Sequence, residues 1–243
     1  MRPDRAARFA RTRLYVLITE SLCASPPLNI ASPPLNIASP PLNKGGVLGG
    51  PESRPRHWLA IAEQVIAGGA DCLQLREKSL DDGERLARAR QLAALCRRHG
   101  VLFIVNDRPD LAVLADADGI HLGQTDLPLK EARRIVGPDR LIGLSTHTSE
   151  QLRAAIAVAP DYIAVGPMFD SSTKPQDHIA GPELLTLALR ETQIPIVPIG
   201  GITSANAGIL AAAGAQRLCV CSSVIGAENP RLAASRLRER LQA

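Results

Sequence analysis

Residues 102–126 read LFIVNDRPDLAVLADADGIHLGQTD. The segment opens on a short apolar run, 102–105, too short for a helix and rich in the residues that strands favour. It turns polar at Asn106-Asp107, passes through a helical pattern at 109–115, and reaches a second apolar run at 119–122 that again ends in polar residues, Gly123-Gln124-Thr125-Asp126. A strand, a short helix and another strand within 25 residues make a βαβ unit, which requires the two strands to run parallel.

Outward from this unit the same alternation continues. Strands are expected at 14–19, 72–76, 102–106, 119–122, 141–144, 162–165, 196–199 and 217–221. Helices are expected near 56–68, 81–98, 109–115, 127–136, 149–158, 181–190, 203–213 and 228–241. Eight strands and eight helices in strict alternation predict one (β/α)8 TIM barrel across residues 1–243, an α/β fold. A doubly wound open sheet is the alternative. It usually has fewer strands and a glycine-rich turn after the first, and no G-x-G-x-x-G follows strand one here.

Residues 21–55 break the pattern. PPLNIAS occurs at 26–32 and 33–39, followed by PPLNKGG at 40–46. Proline fixes an extended backbone and removes donors, and three seven-residue copies are too short for a solenoid. The stretch reads as a disordered insert after strand one, with a recognition segment as the alternative. Long loops are tolerated because closure entropy grows slowly with length.

Composition narrows the function. Aromatic residues are 2% of a chain that is 45% hydrophobic, so the core is aliphatic and base-stacking platforms are not expected. Net charge is +4, and it sits in the first thirteen residues, which hold Arg2, Arg5, Arg8, Arg11 and Arg13 against Asp4. The remainder is balanced, which argues against a nucleic-acid partner. The basic end reads as solvated or as a weak targeting signal, with no apolar run behind it as in a secretory signal. No run of eighteen apolar residues predicts a membrane span. Five cysteines, Cys23, Cys72, Cys96, Cys219 and Cys221, mostly in apolar runs, suit reduced thiols and a cytoplasmic setting. Cys219 and Cys221 form a C-x-C without a second ligand pair, a weak metal signal.

Barrel chemistry lies at the C-terminal ends of the strands. Gln74, Arg76 and Lys78 alternate along strand two and face one way, into the barrel, while Leu73 and Leu75 face the helices. Such a row needs an anion or counter-charges such as Glu77. Asp107 and Asp126 follow neighbouring strands and could share a Mg2+, which takes one or two carboxylates and completes its shell with water and phosphate oxygens; both could instead be helix caps. Ser145 after strand five could bond a heterocycle or a phosphate, or cap the next helix. Ser171, Ser172, Thr173 and Lys174 after strand six, Gly200-Gly201 after strand seven and Ser222-Ser223 after strand eight suit a second phosphate site. No base is paired with a serine nucleophile, and the five histidines form no metal pair at helical spacing, so most read as structural or exposed.

Together QLREK at 74–78, ND at 106–107, GIHLGQTD at 119–126, GLSTHT at 143–148, the 166–174 loop ending in TK and PIGGI at 198–202 resemble the thiamine-phosphate synthase family. The resemblance implies a transferase of thiamine biosynthesis. It joins hydroxymethylpyrimidine diphosphate to a thiazole phosphate and releases pyrophosphate, through a dissociative route. It also implies roles: the stretch Gln74, Leu75, Arg76, Glu77 and Lys78 with Asn106 on the pyrimidine diphosphate, Asp107 and Asp126 on Mg2+, and Ser145 on the pyrimidine. Lys174 would meet the diphosphate. Ser171, Ser172, Thr173, Gly201, Cys221 and Ser222 would meet the thiazole phosphate, with Arg76, Lys78 and Lys174 counted as catalytic. The chain departs from the family at Ser171 for threonine, Asp170 for proline and Cys221 for an aliphatic residue. A thiazole tautomerase-like barrel and a non-catalytic thiamine-phosphate binding module are the alternatives; neither needs two metal carboxylates. Oligomeric state is not legible.

Overall fold

The computed structural model describes residues 5–19, 58–171 and 179–241. The insert at 21–55 and the loop residues Ser172, Thr173 and Lys174 lie outside them. In chain order the elements are α1 (Arg5–Ala10), β1 (Leu14–Ile18), α2 (Trp58–Ala67), β2 (Cys72–Leu75), α3 (Asp82–His99), β3 (Leu102–Asn106), α4 (Pro109–Leu114), β4 (Gly119–Leu122) and α5 (Leu129–Val136). There follow β5 (Leu141–Thr146), α6 (Ser149–Val158), β6 (Tyr162–Val165), α7 (Gly181–Glu191), β7 (Ile196–Pro198), α8 (Ala207–Ala212), β8 (Leu218–Val220), α9 (Ser222–Ile225) and α10 (Pro230–Glu239).

All eight strands pair in parallel in the order β7-β6-β5-β4-β3-β2-β1-β8. A parallel bridge between Ile199 and Cys219 joins β7 to β8 and closes the barrel. Local chemistry sets the helix ends. Asp81 caps α3 by accepting from the Glu84 N–H, and Gly100 ends it in the left-handed region at φ 67°. Thr148 caps α6, and Asn229 caps α10 just ahead of Pro230.

The strand residues divide into two buried sets. Val16, Leu73, Leu75, Phe103, Val105, Ile120, Ile142, Ile163 and Val165 face the helices and join their apolar sides. Tyr15, Leu17, Cys72, Leu102, Ile104, Leu141, Tyr162, Ala164, Val197 and Cys219 face inward and fill the lumen with Phe9 of α1. Two features went beyond the sequence reading: β5 extends to Thr146, and the short helices α1 and α9 flank the first and last strands.

Arg5, Arg8 and Arg13 of the basic N-terminal stretch are engaged with the barrel rather than forming a solvated end. Arg5 Nε donates to Asp118 Oδ1 at 3.1 Å, Arg8 lies 3.8 Å from the same oxygen, and Arg13 bonds the Gln216 carbonyl at 3.0 Å. These contacts hold α1 across the N-terminal end of the barrel, so Phe9 enters the lumen with 1% exposure. Arg217, buried at the foot of β8, donates to the Ala10 carbonyl at 3.1 Å and ties the same segment to the closing seam.

Three aspartates immediately before even-numbered strands serve one purpose. Each accepts the N–H of the preceding odd strand and meets an arginine. Asp71 takes Arg13 N and Leu14 N and pairs with Arg238. Asp118 takes Phe103 N and pairs with Arg5. Asp161 takes Ile142 N and pairs with Arg133. The first N–H that each odd strand turns toward the following even strand lies beyond the end of that ladder, so each carboxylate satisfies a donor that would otherwise be stranded. Asp118→Ala is expected to lower unfolding stability by roughly 2–3 kcal/mol, read as a lower urea midpoint at unchanged m. A midpoint equal to that of the parent would contradict this role.

Candidate active site

The C-terminal ends of β2, β3 and β4 bring one cluster together. Arg76 is anchored by its backbone N–H to the Ile18 carbonyl at 3.0 Å, and its side chain, with Glu77, Lys78, Ser79 and Thr19, lines a cavity of about 330 Å³ above β1 and β2. Lys78 Nζ lies 3.8 Å from Asp107 Oδ2. Asp107 has a positive φ of 62°, unusual for a residue other than glycine, and its N–H bonds the His121 carbonyl at 2.8 Å. This turns the residue off the end of β3 toward β4, where its carboxyl meets that of Asp126. Asp126 is itself held by the Gly123 N–H at 2.6 Å.

The electrostatics of this pair are informative. Burial raises the Asp107 pKa above its ordinary value, the adjoining Asp126 carboxyl raises it further, and Lys78 and Arg76 oppose both. Two crowded carboxylates of this kind favour either a shared proton or a cation. Among the described residues no group of three or more His, Cys, Asp or Glu side chains could hold a metal. Two carboxylates as the protein's share suit Mg2+, which keeps water and phosphate oxygens as its other ligands.

Below this cluster lies a polar core. Gln74 is 2% exposed, and its Nε2 donates to Tyr15 Oη at 2.5 Å. Tyr15 and Tyr162 hydroxyls are 3.1 Å apart, Tyr162 Oη lies 3.0 Å from His121 Nδ1, and His121 Nε2 lies 2.7 Å from Ser145 Oγ. Gln74 therefore turns inward as expected, but one amide atom is engaged within the lumen. Leu75 is packed toward the helices, which leaves only its backbone for a ligand. Burial pushes the His121 pKa down to about 4. Thr148, not Ser145, caps α6 by accepting from Gln151 N, which leaves Ser145 for other partners.

On the other side, the loops after β6 and β7 are zipped together. Met168 N bonds Ile199 O at 2.9 Å and Phe169 N bonds Gly200 O at 3.1 Å. A Cβ on Gly201, where φ is +65°, would sit 2.4 Å from the carbonyl oxygens of Phe169 and Asp170. This glycine is required by the neighbouring loop, a reason additional to close approach of an anion. Ser171, Gly201, Cys221 and Ser222 are all partly exposed at this rim. Ser223 Oγ beside them is buried with no partner among the described residues. Asn106 is half-buried at the end of β3, in register with His121.

A second cavity, of about 340 Å³, lies at the opposite end among Arg5, Arg8, Arg97, Asp116 and Asp118. Its charges pair with one another, Arg97 with Asp116 at 3.0 Å and Arg5 with Asp118 at 3.1 Å, so it has no comparable unsatisfied polarity. Among the described residues no helix is long and apolar enough to cross a membrane.

Residues 48–224 match the family model described as thiamine monophosphate synthase. A thiamine-phosphate synthase of Thermosynechococcus vestitus is 44% identical over 183 residues, which is 75% of this chain and 52% of that protein. One from Halalkalibacterium halodurans is 44% identical over 184 residues, 74% of this chain and 86% of that protein. The chain thus spans about half the length of the first of these relatives and most of the second. Among solved structures, a thiamine phosphate pyrophosphorylase from Pyrococcus furiosus superposes with a TM-score of 0.75 at 28% identity, covering 96% of both chains.

The carboxylate pair yields a prediction with a definite sign. Asp107 has a folded pKa above its unfolded value, so the crowding is harmless at low pH and costs stability as pH rises past 3.8. Asp126→Asn removes one charge while its amide oxygen can still accept from Gly123 N. Without divalent cations the variant should melt above the parent at pH 7, and the gap should close below pH 3.8. Equal melting at pH 7 would show that the two carboxylates do not repel.

Proposed function

The chain belongs to the thiamine monophosphate synthase family, and from that premise we propose that it condenses hydroxymethylpyrimidine diphosphate with a thiazole phosphate, forming thiamine phosphate and releasing pyrophosphate. The observation that carries this reading is the convergence of Arg76, Lys78, Asp107 and Asp126 at the ends of β2, β3 and β4. A leaving diphosphate needs that combination of cations and metal carboxylates. A tautomerase or a simple binding module has no pyrophosphate to expel.

In the proposed reaction the bond between the pyrimidine methylene carbon and the diphosphate oxygen breaks, and its electron pair leaves with pyrophosphate. The lone pair of the thiazole nitrogen then forms the new carbon–nitrogen bond. No protein nucleophile is required, so catalysis is stabilisation of charge on the leaving group together with alignment of the two rings. Arg76 and Lys78, with Asn106 beside them, hold the diphosphate. Asp107 and Asp126 would hold Mg2+, which supplies further positive charge to the departing pyrophosphate when bound. Ser145 and Gln74 meet the pyrimidine from below, while Leu75 at the end of β2 and Glu77 just beyond it contribute through the backbone that presents Arg76 and Lys78.

Lys174, Ser172 and Thr173 keep the roles implied by the family likeness. Ser171, Gly201, Cys221 and Ser222 receive the thiazole phosphate, supported by Ser223 Oγ at the same rim, which has no partner among the described residues. Cys72, Cys96 and Cys219 are buried free thiols, which supports a reducing cytoplasmic setting.

The test is a pyrophosphate-release assay with both substrates, with and without Mg2+. Release should require both substrates and the metal. Asp107→Asn and Lys174→Ala should each slow turnover roughly 100-fold or more while the fold persists. Release at the parental rate in either variant, or none from the parent, would overturn the reading.

A further inference from the structure

The hydrogen-bond chain in the lumen has a direction. A phenol carries one proton. Tyr15 Oη accepts from Gln74 Nε2, and its other hydrogen-bonding neighbour among the described residues is Tyr162 Oη. The Tyr15 proton therefore goes to Tyr162, and the Tyr162 proton goes to His121 Nδ1. Both ring nitrogens of His121 face hydroxyls rather than carboxylates, and the ring is 7% exposed, so it is neutral and carries one proton. With Nδ1 accepting, that proton lies on Nε2 and is donated to Ser145 Oγ. Ser145 is thus satisfied as an acceptor from beneath, and its own proton is left for whatever lies above it.

The rings that carry this chain have little freedom. Tyr162 stacks on Phe9 at 4.3 Å and 25° and on His121 at 5.5 Å and 24°. Gly143 makes room for it, since a Cβ there would fall 2.0 Å from the Tyr162 ring. The positions of the rings are therefore fixed by the packing of the lumen.

We propose that His121 is a positioning residue, held as its Nε2–H tautomer by Tyr162, that fixes Ser145 as a hydrogen-bond donor toward a ring nitrogen of the pyrimidine substrate. This rests on the reading of Ser145 as a pyrimidine contact. A donor at that point matches a ring nitrogen lone pair, and a serine left free to rotate would lose that preference.

Nitrogen-15 NMR of the histidine ring in the full chain reads the tautomer directly, with the His121 signals identified by their loss in His121→Gln. The expected pattern is a protonated Nε2 and an unprotonated Nδ1; the reverse pattern would overturn the relay. Tyr162→Phe keeps the ring volume and removes the donor to Nδ1. It should give mixed tautomers and raise KM for the pyrimidine diphosphate about tenfold, with KM for the thiazole phosphate within about twofold. His121→Leu should show the same split, and His121→Gln, which keeps an N–H donor, should recover most of the loss. Equal change in both KM values, or none, would overturn the positioning role. A parent that releases no pyrophosphate would overturn the assigned activity, whereas the tautomer pattern would still decide the relay.

Discussion

Closing eight parallel strands on themselves turns every second strand residue into a lumen that water does not fill. Much of the rest follows from how that lumen is packed. At the N-terminal end the plug is Phe9, carried on α1 and held by Arg5 and Arg8 against Asp118. On it rests Tyr162, and on Tyr162 rests His121. Their polar atoms are deep in the barrel and expensive unless partnered. They partner one another, ending at Gln74 on one side and Ser145 on the other. The floor of the active site is therefore the top of a stack that begins at the opposite end of the molecule.

Above that floor the energetic problem reverses. The polar groups at the ends of β2 to β4 are only partly satisfied by each other. Lys78 reaches Asp107 at 3.8 Å, too long for a good hydrogen bond. Asp107 faces Asp126 with its proton affinity raised by burial and by that neighbour. Under the proposed function such an arrangement weakens the protein alone and becomes favourable when a cation and a polyphosphate arrive. Aspartates at the N-terminal ends of the strands are committed to backbone and arginine, whereas the proposed function gives those at the C-terminal ends to ligands.

Much of this was legible in the sequence for a simple reason. Parallel strands buried on both faces are continuous apolar runs, so their positions stand out, and polar residues at the ends of such runs have few bland explanations. Gln74, Arg76, Lys78, Asp107 and Asp126 stand out as candidates in this way. Ser145 and Thr146 extend β5 although their polarity suggested a loop, because β5 pairs with β6 through Ser145–Ala164 and Thr146–Val165. His121, Tyr15 and Tyr162 were missed as a network. An isolated aromatic or imidazole in an apolar strand looks like ordinary core, and only the three-dimensional register brings three strands' residues into one chain. The strand-foot aspartates did leave a signal, an Asp just before an apolar run at 71, 118 and 161, which had no assigned purpose until the strands were paired. The N-terminal arginines misled because a basic terminus is usually solvated, and nothing local points to Asp118. The roles given to Ser172, Thr173 and Lys174, and the nature of the 21–55 repeat, fall outside the described residues.

The central claim is that Asp107 and Asp126 exist to place a divalent cation on a departing pyrophosphate. Calorimetric titration of pyrophosphate into the protein, with and without Mg2+, tests it most directly. The account predicts binding at least about tenfold tighter with Mg2+, a coupling of roughly 1.4 kcal/mol or more. Equal affinity in the presence and absence of the metal would contradict it.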